Sequence, residues 1–275
     1  MKLGYNQATC KGCSSLETDL MLCEKYGIEH IELRFDMIRA YLENHSKQDL
    51  KALFDDHPVQ PVTLNAIFDI NFLSKTHWNQ MLELFDFAHE IGQLLSVRNV
   101  LVLPTEFPEP PRMPWNQIVD DCVHVLNALA DRGAGDMRIA FEPIGAVGRC
   151  VRSIAQANEV IRAVNRKDVG LAVDAYNLYQ YDAFNDIDDL RLLDPKSIFI
   201  VHINDANLAI PFDRLATFDR VMPGDGSIDV AKFIEAINST GYDGVYSIEL
   251  LNLDYWKREA QDVFLDALQK TRKYI

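Results

Sequence analysis

The chain has 275 residues, 48% of them hydrophobic, enough to bury a large core; at this length an α/β barrel fits as one domain. A formal net charge of −14 offers no basic stripe and repels phosphate backbones, which argues against a nucleic-acid partner. Five scattered cysteines form no disulfide framework, and neither a signal peptide nor a ~20-residue apolar span is readable, so we expect a cytoplasmic protein with no membrane partner.

In chain order, short apolar runs alternate with amphipathic stretches. A strand is predicted at 2–6, followed by a turn carrying Cys10-Lys-Gly-Cys13. Ser14 and Glu17 form a capping-box pair; Leu16, Leu20 and Cys23 then line one helix face until Gly27. Strands at 29–35, 61–67 and 98–103 are interleaved with helices near 47–56 and 78–95. A helix over 115–132 leads to a strand at 138–142. Ser153 and Gln156 then repeat the capping box before a stripe of Ile154, Ala157, Ile161 and Val164. Strands follow at 169–174 and 198–203, with only a short helical segment near 186–192 between them. Asp229 caps a helix that Gly241 ends, and a last strand at 244–250 precedes a helix over 254–273.

The strands are continuously apolar rather than alternating, as parallel strands covered on both faces require. Eight such βα units predict a (β/α)8 TIM barrel, a single domain spanning 1–275. An open doubly wound sheet is the alternative, but the first turn, Gln7 to Cys13, lacks the Gly-rich phosphate fingerprint. Two long loops, 104–114 and 206–228, fall on the C-terminal side of their strands, where barrels keep their active sites, and read as lids.

Four successive strands end in a potential metal ligand: Glu142, Asp174, His202 and Glu249. Equivalent strand ends of a parallel barrel ring one mouth, so these side chains converge despite their separation in sequence. A lone strand-end carboxylate is ordinarily a hydrogen-bonded rim residue. Three carboxylates and an imidazole at one rim repel and desolvate one another, and a divalent cation removes that penalty. The donor set suits one ion of Mn²⁺, Co²⁺, Zn²⁺ or Mg²⁺, and the lack of a thiolate argues against structural zinc.

Several motifs resemble the sugar-phosphate isomerase/epimerase group of xylose isomerase-like barrels, and within it the inosose isomerases of inositol catabolism. They include K-L-x-x-N-x-A-T from Lys2, I-E-L-R from Ile31, A-F-E from Ala140, I-F-I-x-H-I-x-D from Ile198, D-R-V-x-P-G-x-G from Asp219 and S-I-E-L from Ser247. The resemblance implies that Glu142, Asp174, His202 and Glu249 bind one divalent metal. It further implies that Glu142 and Glu249 act as the catalytic acid–base pair on a small polyol ketone such as 2-keto-myo-inositol, moving its carbonyl through an enediol. Arg220 and Asn177 are expected to bind substrate hydroxyls and Trp256 to cover a ring face; for Arg220 the competing role is an ion pair with Asp219 or Asp225 inside its own loop.

The chain departs from its relatives at three places. Asn177 stands where several carry a histidine, Glu142-Pro-Ile-Gly-Ala-Val-Gly148 lacks the second acid of ketose 3-epimerases, and Leu251-Asn252-Leu253 lacks a basic residue. A ketose 3-epimerase, a metal-dependent dehydratase of a cyclic keto acid and a non-catalytic sugar-binding barrel are the alternatives, and the sequence leaves homo-oligomerisation open. Cys10 and Cys13 are read as loop residues rather than a redox pair.

Overall fold

A computed structural model describes residues 1–275. Eight parallel strands form a closed barrel: β1 (Lys2–Asn6), β2 (His30–Arg34), β3 (Gln60–Ile67), β4 (Asn99–Val102), β5 (Arg138–Phe141), β6 (Val169–Asp174), β7 (Ile198–Ile203) and β10 (Val245–Ile248). Each pairs with its neighbours in chain order, and β1 closes on β10 through registers such as Gly4 with Ser247. The intervening β8 (Asp205–Ala206) and β9 (Arg220–Val221) form a small antiparallel ribbon at the mouth. The continuously apolar β6 and β7 are buried at every position, as strands covered on both faces must be.

A cluster of Ala66, Leu101, Ala140, Ala172, Ile200, Val245 and neighbours, drawn from six of the strands, fills the barrel interior. The larger core lies between strands and helices. Nine α-helices surround the barrel: α1 (Leu16–Tyr26), α2 (Phe35–Leu42), α3 (Lys47–Asp55), α4 (Lys75–Leu95), α5 (Trp115–Arg132), α6 (Ile154–Val164), α7 (Ala175–Asp182), α8 (Val230–Ser239) and α9 (Ala260–Thr271). None is long and apolar enough to cross a membrane.

Sequence and structure differ at element ends. The cap of α1 is Ser15, whose side chain accepts from Thr18 N, while Ser14 is drawn away to donate to the buried Asp19 at 2.7 Å. The pair Ser153 and Gln156 does form the predicted capping box on α6, and Asp229 caps α8. The segment 186–192 is a 3-10 helix, Ile187–Leu192. The terminal stretch splits into a 3-10 turn, Tyr255–Lys257, and the shorter α9. Helices α2 and α7 were not expected; each starts on the residue after a strand, where no linker marks the change of backbone.

Candidate metal centre and active site

Asp174 ends β6 and is also the N-cap of α7: its Oδ1 accepts from Asn177 N at 2.7 Å, so the helix start fixes the carboxylate. Its Oδ2 accepts from the amide of Asn204 at 2.8 Å. Glu142 and Glu249 stand one residue beyond the assigned ends of β5 and β10. Their backbone N–H groups still donate to the adjacent strands, at Val102 O (3.1 Å) and Ile203 O (3.2 Å), which holds both at the rim. His202 lies within β7, fully buried, and Nδ1 faces Glu142 at 3.3 Å, Glu249 at 3.4 Å and Asp174 at 3.7 Å.

One ligand atom from each of these four residues lies within 4.8 Å of all the others, and all four residues are buried. Burial pushes the Glu142 carboxyl up and the Glu249 carboxyl up to about 8. For His202 burial works downward, but the carboxylates, Glu249 and Glu32 foremost, outweigh it and hold the imidazole well above its ordinary range. A divalent cation at the focus of Nδ1 and the three carboxylates would offset the cost of burying these groups together. The residues fit such an ion: hard oxygen donors with one imidazole, without thiolate.

Above this focus opens a cavity of about 280 Å³. Its lining is half polar, with Glu142, Asn177, Arg220 and Glu249 joined by Arg34, Asn65, Glu106, Arg149 and Gln180, and half apolar, with Leu101, Leu103, Ile144, Ala146, Leu215 and Leu251. A larger open groove of about 400 Å³ lies outside the barrel against α1 and α2 and holds none of the four ligands. Both long loops contribute to the mouth cavity, Glu106 from one and Leu215 to Thr217 from the other.

Arg220 is 5% exposed, its guanidinium stacked 4.4 Å over the Tyr176 ring and 3.7 Å from Asp174 Oδ2. Its Nη1 donates to Thr217 O at 2.9 Å, and its buried Nε has no partner in the protein. The alternative ion pair inside its own loop does not form, because Asp219 accepts from Ala216 N and Asp225 pairs with Lys270. Asn177 lines the same cavity and donates to Glu142 Oε1 at 3.2 Å. Trp256 is not brought to the cavity. Its Nε1 donates to Ala8 O at 3.0 Å and its ring packs edge-on against Phe218; a Cβ on Gly12 would meet the Trp256 Cβ at 2.6 Å. Cys10 and Cys13 are free, their thiols directed at the carbonyls of Ala260 and Tyr255.

Two acidic residues carry more of the local structure than their sequence context reveals. Asp205 accepts four backbone N–H groups, from Ala206, Gly224, Gly226 and Ile228 at 2.7–3.0 Å, and thereby shapes the loop that presents Arg220. A Cβ at Gly226 would meet Ala206 O at 2.1 Å, so this turn needs glycine. Glu32, in β2, is wholly buried beside His202. In the sequence, I-E-L-R served only as a motif of resemblance, and the fold is what brings Glu32 beside His202.

Residues 20–273 match the family model described as xylose isomerase-like TIM barrel. An inosose isomerase of Bacillus velezensis is 32% identical over 100% of this chain and 97% of its own, and one of Bacillus subtilis is 33% identical over 98% and 96%. A 3-dehydroshikimate dehydratase of Pseudomonas aeruginosa is 27% identical over 98% of this chain but only 42% of its own. Among solved structures, the IOLI protein with a bound zinc atom superposes with a TM-score of 0.94 at 33% identity, covering 100% of this chain and 99% of that one. Together with the buried set of Glu142, Asp174, His202 and Glu249, which could hold a metal ion, these similarities mark the protein as an isomerase. The chain belongs to the xylose isomerase-like TIM barrel family.

Proposed function

We propose that this protein isomerises an inosose, shifting the carbonyl of a cyclohexane polyol to the neighbouring carbon, with Glu142 and Glu249 as its proton-transfer groups. The observation that carries the reading is the convergence of those two carboxylates, which line the mouth cavity, with the buried Asp174 and His202, beside a lining that is half polar and half apolar. A ring bearing equatorial hydroxyls has the matching shape: its edge is polar and its two faces are C–H surfaces. Relatives at 31–33% identity over nearly the whole chain act as inosose isomerases, which supports the same substrate class here.

The chemistry needs a base, an acid and a means of acidifying one C–H bond. A divalent ion held by Glu142, Asp174, His202 and Glu249 would supply the Lewis acidity that acidifies the C–H bond beside the carbonyl. One glutamate takes the proton from the hydroxyl-bearing carbon, giving the enediolate. A proton returned to the former carbonyl carbon, together with transfer of a hydroxyl proton between the two oxygens, completes a redox-neutral exchange. Arg220, which lines the cavity with its guanidinium held flat on Tyr176, orients hydroxyls, and the Asn177 amide fixes Glu142 beside them.

The guanidiniums that line the cavity already face carboxylates: Arg34 faces Asp36, Arg149 faces Asp69 and Glu106, and Arg220 faces Asp174. A phosphorylated sugar therefore meets Arg34 and Arg149 already paired with carboxylates and is expected to be a poor substrate. The test is solvent deuterium exchange at the carbon beside the carbonyl of 2-keto-myo-inositol with metal-loaded protein. Exchange should be rapid, and Arg220→Ala should raise KM about 10-fold with a smaller effect on kcat, the scale of one charge-assisted hydrogen bond. Faster turnover of a sugar phosphate or a linear ketohexose than of the inosose refutes the assignment.

A further inference from the structure

Glu32 lies on the opposite side of the His202 ring from the ligand focus. While Nδ1 looks toward Glu142, Asp174 and Glu249, Nε2 lies 3.1 Å from Glu32 Oε1 and 3.3 Å from Oε2. The carboxylate is wholly buried and accepts two further hydrogen bonds, from Asn6 Nδ2 at 3.2 Å and Asn65 Nδ2 at 3.3 Å. Asn6 is itself fixed, because its Oδ1 accepts from Ala8 N at 2.9 Å, and the second hydrogen of its amide goes to Glu249 Oε1 at 3.0 Å. One amide thus ties Glu32 to a residue of the ligand set.

A buried carboxylate is costly, and packing alone is served as well by a glutamine or a leucine of similar volume. What neither replacement supplies is an anionic acceptor at Nε2. An imidazole binds a metal through one nitrogen only if that nitrogen carries a lone pair, so the proton must sit on the other. An acceptor at Nε2 makes that tautomer the stable one, fixes the ring plane and raises the donor strength of Nδ1.

We propose that Glu32 is a positioning residue of the metal centre: it sets the Nε2–H tautomer and ring orientation of His202, and through Asn6 it holds His202 and Glu249 as one preorganised unit. Glu32 itself touches neither metal nor substrate. The proposal rests on the metal centre and not on the identity of the substrate.

The experiment measures Zn²⁺ affinity of the metal-stripped full-length chain, by competition with a chromophoric chelator, for the native protein, Glu32→Gln and Glu32→Ala. Affinity should fall about 10- to 100-fold, the usual effect of losing such a partner. Glu32→Gln should lie at the lower end, because it still offers an oxygen to Nε2–H but turns its amide group toward the donors of Asn6 and Asn65. In Zn²⁺-loaded protein with labelled histidine, a slowly exchanging Nε2–H signal from His202 should be present in the native chain and lost in Glu32→Ala. Loading with Co²⁺ should give a shifted visible absorption band in both variants. A merely structural role lowers the melting temperature and leaves these three readouts unchanged. Should Glu32→Ala fail to fold, Glu32→Gln alone decides. Affinity within about two-fold of native, with the His202 signal retained, overturns the proposal. Turnover plays no part, so a native protein that binds Zn²⁺ but leaves the inosose untouched sinks the substrate assignment and leaves this result readable.

Discussion

Strands β5, β6, β7 and β10 each bring one ligand to the mouth, whereas β1 to β4 bring none of the four. The first half instead brings Asn6, Glu32 and Asn65, which hydrogen-bond to one another or to the ligands, and Leu101 and Leu103 of the apolar lining. Both halves bury ionisable groups, but for different ends. In the second half, buried charge gathers around a point left for a cation. In the first half it is absorbed by neighbouring amides and hydroxyls, as at Asp19, which takes hydrogen bonds from Gln7 and Ser14. A symmetric scaffold can thus divide its labour, with one arc of strands making the site and the other holding it in place.

The sharpest way to break this division is to remove a ligand. Asp174→Ala and His202→Ala should abolish stoichiometric metal binding, read by elemental analysis of the purified chains, since a four-ligand site with three ligands loses most of its affinity. Metal retained in full by both variants would mean that the second half holds no metal centre.

A smaller effect separates the two glutamates from the ligands around them. Glu142→Gln and Glu249→Gln keep an oxygen at the rim but lose basicity. Turnover at saturating metal should fall about 10²- to 10⁴-fold, the range for general acid–base groups. Near-native deuterium exchange in either variant removes that residue from the proton-transfer pair.

The smallest effect belongs to the first half. Burial raises the Asp19 carboxyl to about 7, against the downward pull of Ser14 and Gln7. The native state therefore holds this proton more tightly than the unfolded chain does. That stabilisation is complete below about pH 4 and is lost as pH rises through about 7. Asp19→Asn should flatten the pH dependence of chemical denaturation by about 2 kcal/mol between pH 5 and pH 7, with metal affinity unchanged. An unaltered slope would show that Asp19 does not carry the buried proton.

The strand ends were legible because a parallel barrel maps chain order onto a ring: an apolar run closed by Glu142, Asp174, His202 or Glu249 gives both the element and the mouth. What escaped depends on distances between segments remote in sequence. Glu32 belongs to the centre only through a contact spanning 170 positions, and Asp205 organises donors as far ahead as Ile228. Helix α7 was hidden because Asp174 is both the last strand residue and the helix cap, a double role that no punctuation residue announces. Trp256 shows the converse: an aromatic after the last strand suggested a ring cover, but a 3-10 turn at Tyr255–Lys257 swings it onto Gly12 instead.

The four hydrogen bonds that converge on Asp205 have an evolutionary corollary. They bind the stretch from Gly224 to Ile228 to a single anchor, while Leu208 and Phe218, earlier in the same loop, stay exposed. The loop thus behaves as an exchangeable cassette with a fixed clasp. Exposed positions such as Leu208 and Phe218 can change side chain beside the cavity roof at Leu215 to Thr217, while the clasp keeps the ribbon of β8 and β9 in register. New substrate preferences in this scaffold are then most accessible through the exposed positions around Leu208 and Phe218, because Leu215 to Thr217 are tied to Gln180, Tyr176 and Arg220.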